Sequence, residues 1–106
     1  MVRAGDFLFV AGQTGYDFAA KRLAEGGMRG QTRQALTNIR ALLAAAGSSL
    51  EKVVNVTVYV TSMDEWATGN QVYAEFFPSN GPAKTTAEVL RLVFDAVVEI
   101  QVVALA

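Results

Sequence analysis

The stretch Ala44-Ala45-Ala46-Gly47-Ser48-Ser49-Leu50-Glu51-Lys52-Val53-Val54-Asn55-Val56-Thr57-Val58-Tyr59-Val60 holds the end of a helix, a linker and a strand. Gly47 ends the helix because glycine takes a left-handed φ with no Cβ clash. Ser48-Ser49-Leu50-Glu51 has the S-x-x-E spacing of a capping box and predicts a single turn. Val53 to Val60 is the strongest strand in the chain, rich in β-branched residues. Val54, Val56, Val58 and Val60 line one face of it, and Val53, Asn55, Thr57 and Tyr59 the other, so neither face is plainly built for water.

Upstream, apolar residues at Ala35, Leu36, Ile39, Leu42, Leu43 and Ala46 form one helical stripe and predict a helix from about Arg29 to Ala46. Asp17 to Gly30 carries Gly26, Gly27 and Gly30 among charged residues and reads as a loop. Before it, Phe7 to Ala11 reads as a strand, with a turn over Gly12 to Gly15 into a second strand from Tyr16. Downstream, Ser62-Met63-Asp64-Glu65 repeats the helix-start signal, and Trp66, Ala67, Tyr73, Phe76 and Phe77 predict a second helix that stops before Pro78. Asp64 and Glu65 belong to that first turn, where the helix dipole favours acids. Ser79-Asn80-Gly81-Pro82 reads as a turn. Ala83 to Leu90 and Val97 to Ala104 close the chain as two strands, expected to lie side by side as antiparallel neighbours.

The order β-β-α-β-α-β-β predicts a two-layer α+β domain over residues 1–106, a mixed β-sheet with two helices on one face. The opposite face would then be left moderately apolar, which is the mark of an interface and predicts self-association.

Composition narrows the chemistry. The chain has 106 residues, 52% of them hydrophobic, no histidine and no cysteine. Serine–histidine and cysteine–histidine nucleophile systems are excluded, and with them nearly all zinc sites, so no metal is expected. Nine basic against ten acidic side chains give no basic footprint for nucleic acid. No apolar run reaches the roughly 18 residues of a membrane span, and Met1 to Val10 has no signal-peptide pattern. A cytoplasmic protein is the expectation.

Chemistry is left to amines, guanidinium, carboxylates, hydroxyls and backbone amides. Lys84, Thr86 and Glu88 share one face of their strand, and Glu99 and Gln101 share one face of the last strand. Asn70 and Tyr73, three apart, share a helix face, where Asn70 offers a donor and an acceptor. Gly12-Gln13 ends the first strand, where glycine permits close approach to the backbone.

Together these segments resemble the RidA/YjgF family of reactive intermediate deaminases. Gly5 to Gln13 is similar to its first strand and SGQ turn. Gln31 to Ile39 and Ala44 to Val60 are similar to its helix and following strand, and Asn70 to Phe77 and Pro82 to Ile100 extend the likeness over nearly the whole chain. The resemblance implies a chorismate-mutase-like fold and a homotrimer with ligand sites in inter-subunit clefts. It implies cofactor-free hydrolysis of small enamine or imine carboxylates, such as 2-aminoacrylate, to 2-oxo acids and ammonia. It places Lys84 where the family carries its carboxylate-binding arginine, in Pro82-Ala83-Lys84, and Gln101 where it carries a water-placing glutamate, in Val98-Glu99-Ile100-Gln101. Substrate binding would fall to Lys84, Asn70, Thr85, Gly12 and Gln13, and water positioning to Gln101 and Thr86. Lysine keeps the charge without the bidentate grip, and glutamine cannot accept a proton. A trimeric small-carboxylate binding protein without deaminase activity is the alternative. Leu92-Val93-Phe94 stands where the family has Leu-Pro-Lys.

Overall fold

The computed structural model describes residues 1–79 and 81–106. Its elements are β1 (Val2–Ala4), β2 (Phe7–Thr14), β3 (Tyr16–Asp17), β4 (Arg22–Leu23), α1 (Gly27–Ala45), β5 (Val53–Val60), α2 (Met63–Phe76), β6 (Ala83–Glu88) and β7 (Val98–Leu105). Five strands form one sheet in the order β1-β2-β7-β5-β6, and β3 and β4 pair separately. Both helices pack on one face of the larger sheet, as an α+β fold of this order requires.

The strand at Val53–Val60 has the bounds expected of it. Gly47 takes a φ of 79° just past α1, and Ser48 N–H reaches back to Leu43 C=O at 2.8 Å. That closes the helix end as glycine at this position should. The predicted capping box before β5 does not form. A 3-10 turn spans Leu50–Lys52 with no side-chain cap from Ser49, because Ser48 Oγ is drawn away to donate to Leu105 C=O at 2.6 Å.

Three further expectations are corrected. The partner of the first strand precedes it: β1 pairs antiparallel with β2, turning at Gly5, whose φ is 59°. Tyr16–Asp17, where a second strand is expected to start, instead pairs with Arg22–Leu23 of the stretch read as loop, in a short hairpin. The two closing strands are not neighbours. β7 pairs antiparallel with β5, and β6 runs parallel to β5 on its other side. A parallel pair needs a crossover, and α2 supplies it. Of the turn expected over residues 79–82, Asn80 lies outside the described residues.

The core lies between the helices and the inner sheet face. Leu36, Ile39 and Leu43 of α1 meet Val56, Val58, Val60, Val98 and Ile100, all wholly buried. The alternate residues of the same strands point to the uncovered face. There Phe7, Phe9 and Leu105 keep 42, 48 and 42% of their surface exposed, and Phe9 stands opposite Val103 and Phe7 opposite Leu105. Among the described residues, no helix is long and apolar enough to cross a membrane.

Candidate functional site

β6 is an edge strand held against the start of α2. Glu88 Oε1 accepts from Met63 N–H at 2.8 Å, and Ser62 Oγ accepts from Glu65 N–H at 3.3 Å. These bonds satisfy donors that a helix start leaves open and set β6 in register with α2. Lys84, opposite Val56, therefore leans toward the helix. Trp66, Asn70 and Tyr73, spaced four and three apart, make the facing surface.

Lys84 Nζ donates to Asn70 Oδ1 at 2.5 Å and stands 3.9 Å from the centre of the Tyr73 ring and 5.3 Å from that of Trp66. Both rings are buried, so the faces they offer are fixed by the core. The ring faces and the amide oxygen favour the ammonium, whereas partial burial disfavours it. Burial prevails, and Lys84 is held below the ordinary lysine value. The Tyr73 hydroxyl, buried with no hydrogen-bond partner among the described residues, is pushed up to about 12 by burial. It stays neutral at physiological pH.

A second group of polar residues lies on the uncovered face. β2 bulges between Val10 and Gln13, and the Glu99 carboxylate is seated against the backbone of Gly12. A Cβ at residue 12 would fall on that carboxylate, so glycine is what lets Glu99 lie there. Gln13 turns its Nε2 to Ala11 C=O at 3.1 Å. Gln101 stands opposite Thr57, which stands opposite Thr85, a row across three strands. Gln101 and Thr85 are exposed.

The expected site residues thus fall into two groups. Lys84, Asn70 and Thr86 share the helix side of the β6 edge; Gly12, Thr85 and Gln101 belong to the uncovered face, and Gln13, past the bulge, stands opposite Ile100. Lys84 and Gln101 are on opposite faces with β5 between their strands, so one copy does not bring them together. Glu99 is a functional candidate that the motif comparison passed over in favour of Gln101. Trp66 and Tyr73 are core residues, and their ring faces also hold Lys84. The spacing of Trp66, Asn70 and Tyr73 carried that information; the contact with Lys84 depended on knowing that β6 lies beside β5.

A cleft of about 610 Å³ between the ends of α1 and α2, lined by Arg40, Leu50, Phe76 and Phe77 among others, contains none of these residues. Beside it, Arg33 binds both oxygens of Glu75 at 3.2 and 3.1 Å and holds that carboxyl below the usual range. This pair ties α1 to α2. Among the described residues, no group of three acidic, histidine or cysteine side chains is placed to hold a metal.

The fold and site define a two-layer α+β protein whose polar side chains gather at one sheet edge and on an uncovered sheet face. Residues 1–106 match the family model described as Endoribonuclease L-PSP. A RutC family protein of Pyrococcus horikoshii is 46% identical over 103 residues, covering 97% of this chain and 82% of that protein. The 2-iminobutanoate/2-iminopropanoate deaminase of Bos taurus is 37% identical over 97 residues, covering 92% and 71%. Among solved structures, RidA from an Antarctic Psychrobacter superposes with a TM-score of 0.93 at 32% identity, covering 99% of this chain and 85% of that one. TdcF of E. coli with bound serine gives 0.92 at 30% identity, covering 99% and 84%. The chain belongs to the RidA/YjgF family, whose model carries the Endoribonuclease L-PSP description.

Proposed function

We propose that this chain, a single domain over residues 1–106, is a cofactor-free deaminase. It hydrolyses small enamine and imine carboxylates to 2-oxo acids and ammonia. The observation that carries this reading is Lys84 Nζ, clamped by Asn70 over the Tyr73 ring at an accessible sheet edge. A cation on such a shelf suits a small carboxylate, and the name of the bovine relative supports an imino acid. The working form is a homotrimer, in which the polar edge of one copy meets the uncovered face of the next in a cleft. Apolar Phe7, Phe9 and Leu105 supply the buried contact.

In that cleft Lys84 pairs with the substrate carboxylate, with Asn70, Thr85 and the backbone at Gly12 and Gln13 completing the binding set. Gln101 and Thr86 hold the attacking water by hydrogen bonds. Gln101 has no base to offer, so the water's proton passes to Glu99, two residues away on the same face and seated on Gly12. Ammonia leaves after protonation of its nitrogen.

The test is ammonia release from enzymatically generated 2-aminoacrylate. The expected result is a rate well above buffer that is lost in Glu99→Gln. A rate equal to buffer overturns the reading. If 2-oxobutyrate or benzoate then binds and Lys84→Ala abolishes binding, the protein is a small-carboxylate binder instead. The glutamine at residue 101 is the observation that favours this second reading.

A further inference from the structure

We propose that Lys84 is a covalent catalyst: its amine attacks the imine carbon of the bound 2-imino acid and carries the carbon skeleton as a lysine Schiff base. The inference rests on the deaminase reading of the same site and adds a chemical step to it. In a 2-imino acid the electrophilic carbon is bonded directly to the carboxylate carbon. An amine that pairs with an oxygen of that carboxylate therefore lies close to the reacting carbon, which is two bonds from that oxygen. A guanidinium at this position stays protonated and has no such option, whereas a lysine amine does.

The surroundings of Lys84 suit a nucleophile. Nζ is positioned by one acceptor, Asn70 Oδ1 at 2.5 Å, with no carboxylate among its described partners to lock it as the ammonium. The flat faces of Tyr73 and Trp66 exclude water on one side and leave the other open to ligand. Burial already holds the group below the ordinary lysine value, in the direction that raises the share of free amine.

The sequence of bonds is balanced. Lys84 gives a proton to the imine nitrogen, and its lone pair then forms a bond to the imine carbon, giving a carbon that bears two amines. A proton passes from Nζ to the original nitrogen. The bond to that nitrogen breaks, ammonia departs with the electron pair, and the skeleton remains doubly bonded to Nζ. Water adds to the same carbon, the bond to Nζ breaks, and Lys84 recovers its proton. The net change is imine plus water to 2-oxo acid plus ammonia.

The experiment runs the last step backwards. The protein is incubated with pyruvate or 2-oxobutyrate and sodium borohydride, digested, and mapped by mass spectrometry. A reduced adduct adds the mass of the oxo acid less one oxygen. The expected result is label on Lys84 exceeding that on exposed Lys21 and Lys52 by roughly tenfold or more, with parallel irreversible loss of ammonia release. Lys84→Arg, which keeps the charge, is expected to release ammonia more slowly and to resist inactivation by borohydride. Label no greater on Lys84 than on Lys21 and Lys52, with ammonia release intact, overturns the covalent step and leaves the deaminase reading standing. Strong label on Lys84 with no ammonia release from 2-aminoacrylate supports a carbonyl-capturing lysine and overturns the deaminase reading. Absence of both overturns both.

Discussion

The two faces of the sheet are made by the same strands, yet they end in opposite conditions. On the helix side, Val56, Val58, Val60, Val98 and Ile100 are wholly buried. One residue along, the other face leaves Phe7, Phe9 and Leu105 nearly half exposed beside Glu99, Gln101 and Thr57. Period-two alternation guarantees that every strand feeds both faces, but this chain has helices for only one. The polar residues obey the same division, with Lys84 and Asn70 on one side and Glu99 and Gln101 on the other. On the proposed trimer, a second copy would complete both the face and the site.

Breaking the uncovered face is expected to have the largest effect. Phe9→Lys sets a charge in the middle of the apolar patch, where a buried unpaired charge is strongly unfavourable. Light scattering should report the single-chain mass of 11.3 kDa, and ammonia release should vanish while far-UV circular dichroism is unchanged. A Phe9→Lys protein that keeps the wild-type mass would remove the distinction between the faces. On the covered face the effect falls on folding instead. Leu36→Ala opens a cavity at a wholly buried residue and should cost about 2–5 kcal/mol in denaturant unfolding.

Gly12→Ala probes the site without touching either core. Its methyl would displace the Glu99 carboxylate, the far end of a flexible side chain. Stability should change by less than about 1 kcal/mol. Ammonia release should fall by about a hundredfold, the scale for a displaced catalytic group.

The smallest effect concerns Lys84. Its folded value lies below the ordinary lysine value, so in the window between them the unfolded chain holds the additional proton. Stability therefore rises as pH climbs through that window and levels off above the unfolded value. Chemical denaturation across alkaline pH should show this rise in the wild type and a smaller one in Lys84→Met.

Much of this arrangement is legible in the residues themselves. Val53–Val60 declares itself by composition, α2 by Ser62 and its apolar stripe, and the end of α1 by Gly47. The uncovered face follows from strands apolar on both sides. β1 is hidden because three exposed edge residues carry no alternation. The separation of β6 from β7 is hidden because nearness in sequence does not say whether a third strand lies between them. Glu99 and Gln101 illustrate a third limit, since residues two apart in a strand share a face and a motif. The seat at Gly12 distinguishes them. The clamp of Asn70 on Lys84 required the parallel crossover, although both residues stood out beforehand.

The most direct test mixes two defective proteins. Lys84→Met lacks the amine and Glu99→Gln the carboxylate, and each alone should release no ammonia. If a working site takes Lys84 from one copy and Glu99 from the next, unfolding the two together and refolding them as an equal mixture should rebuild intact sites. Random assembly gives about a quarter of wild-type activity. A mixture that co-assembles, as native mass spectrometry would show, yet releases no ammonia would contradict a site shared between copies.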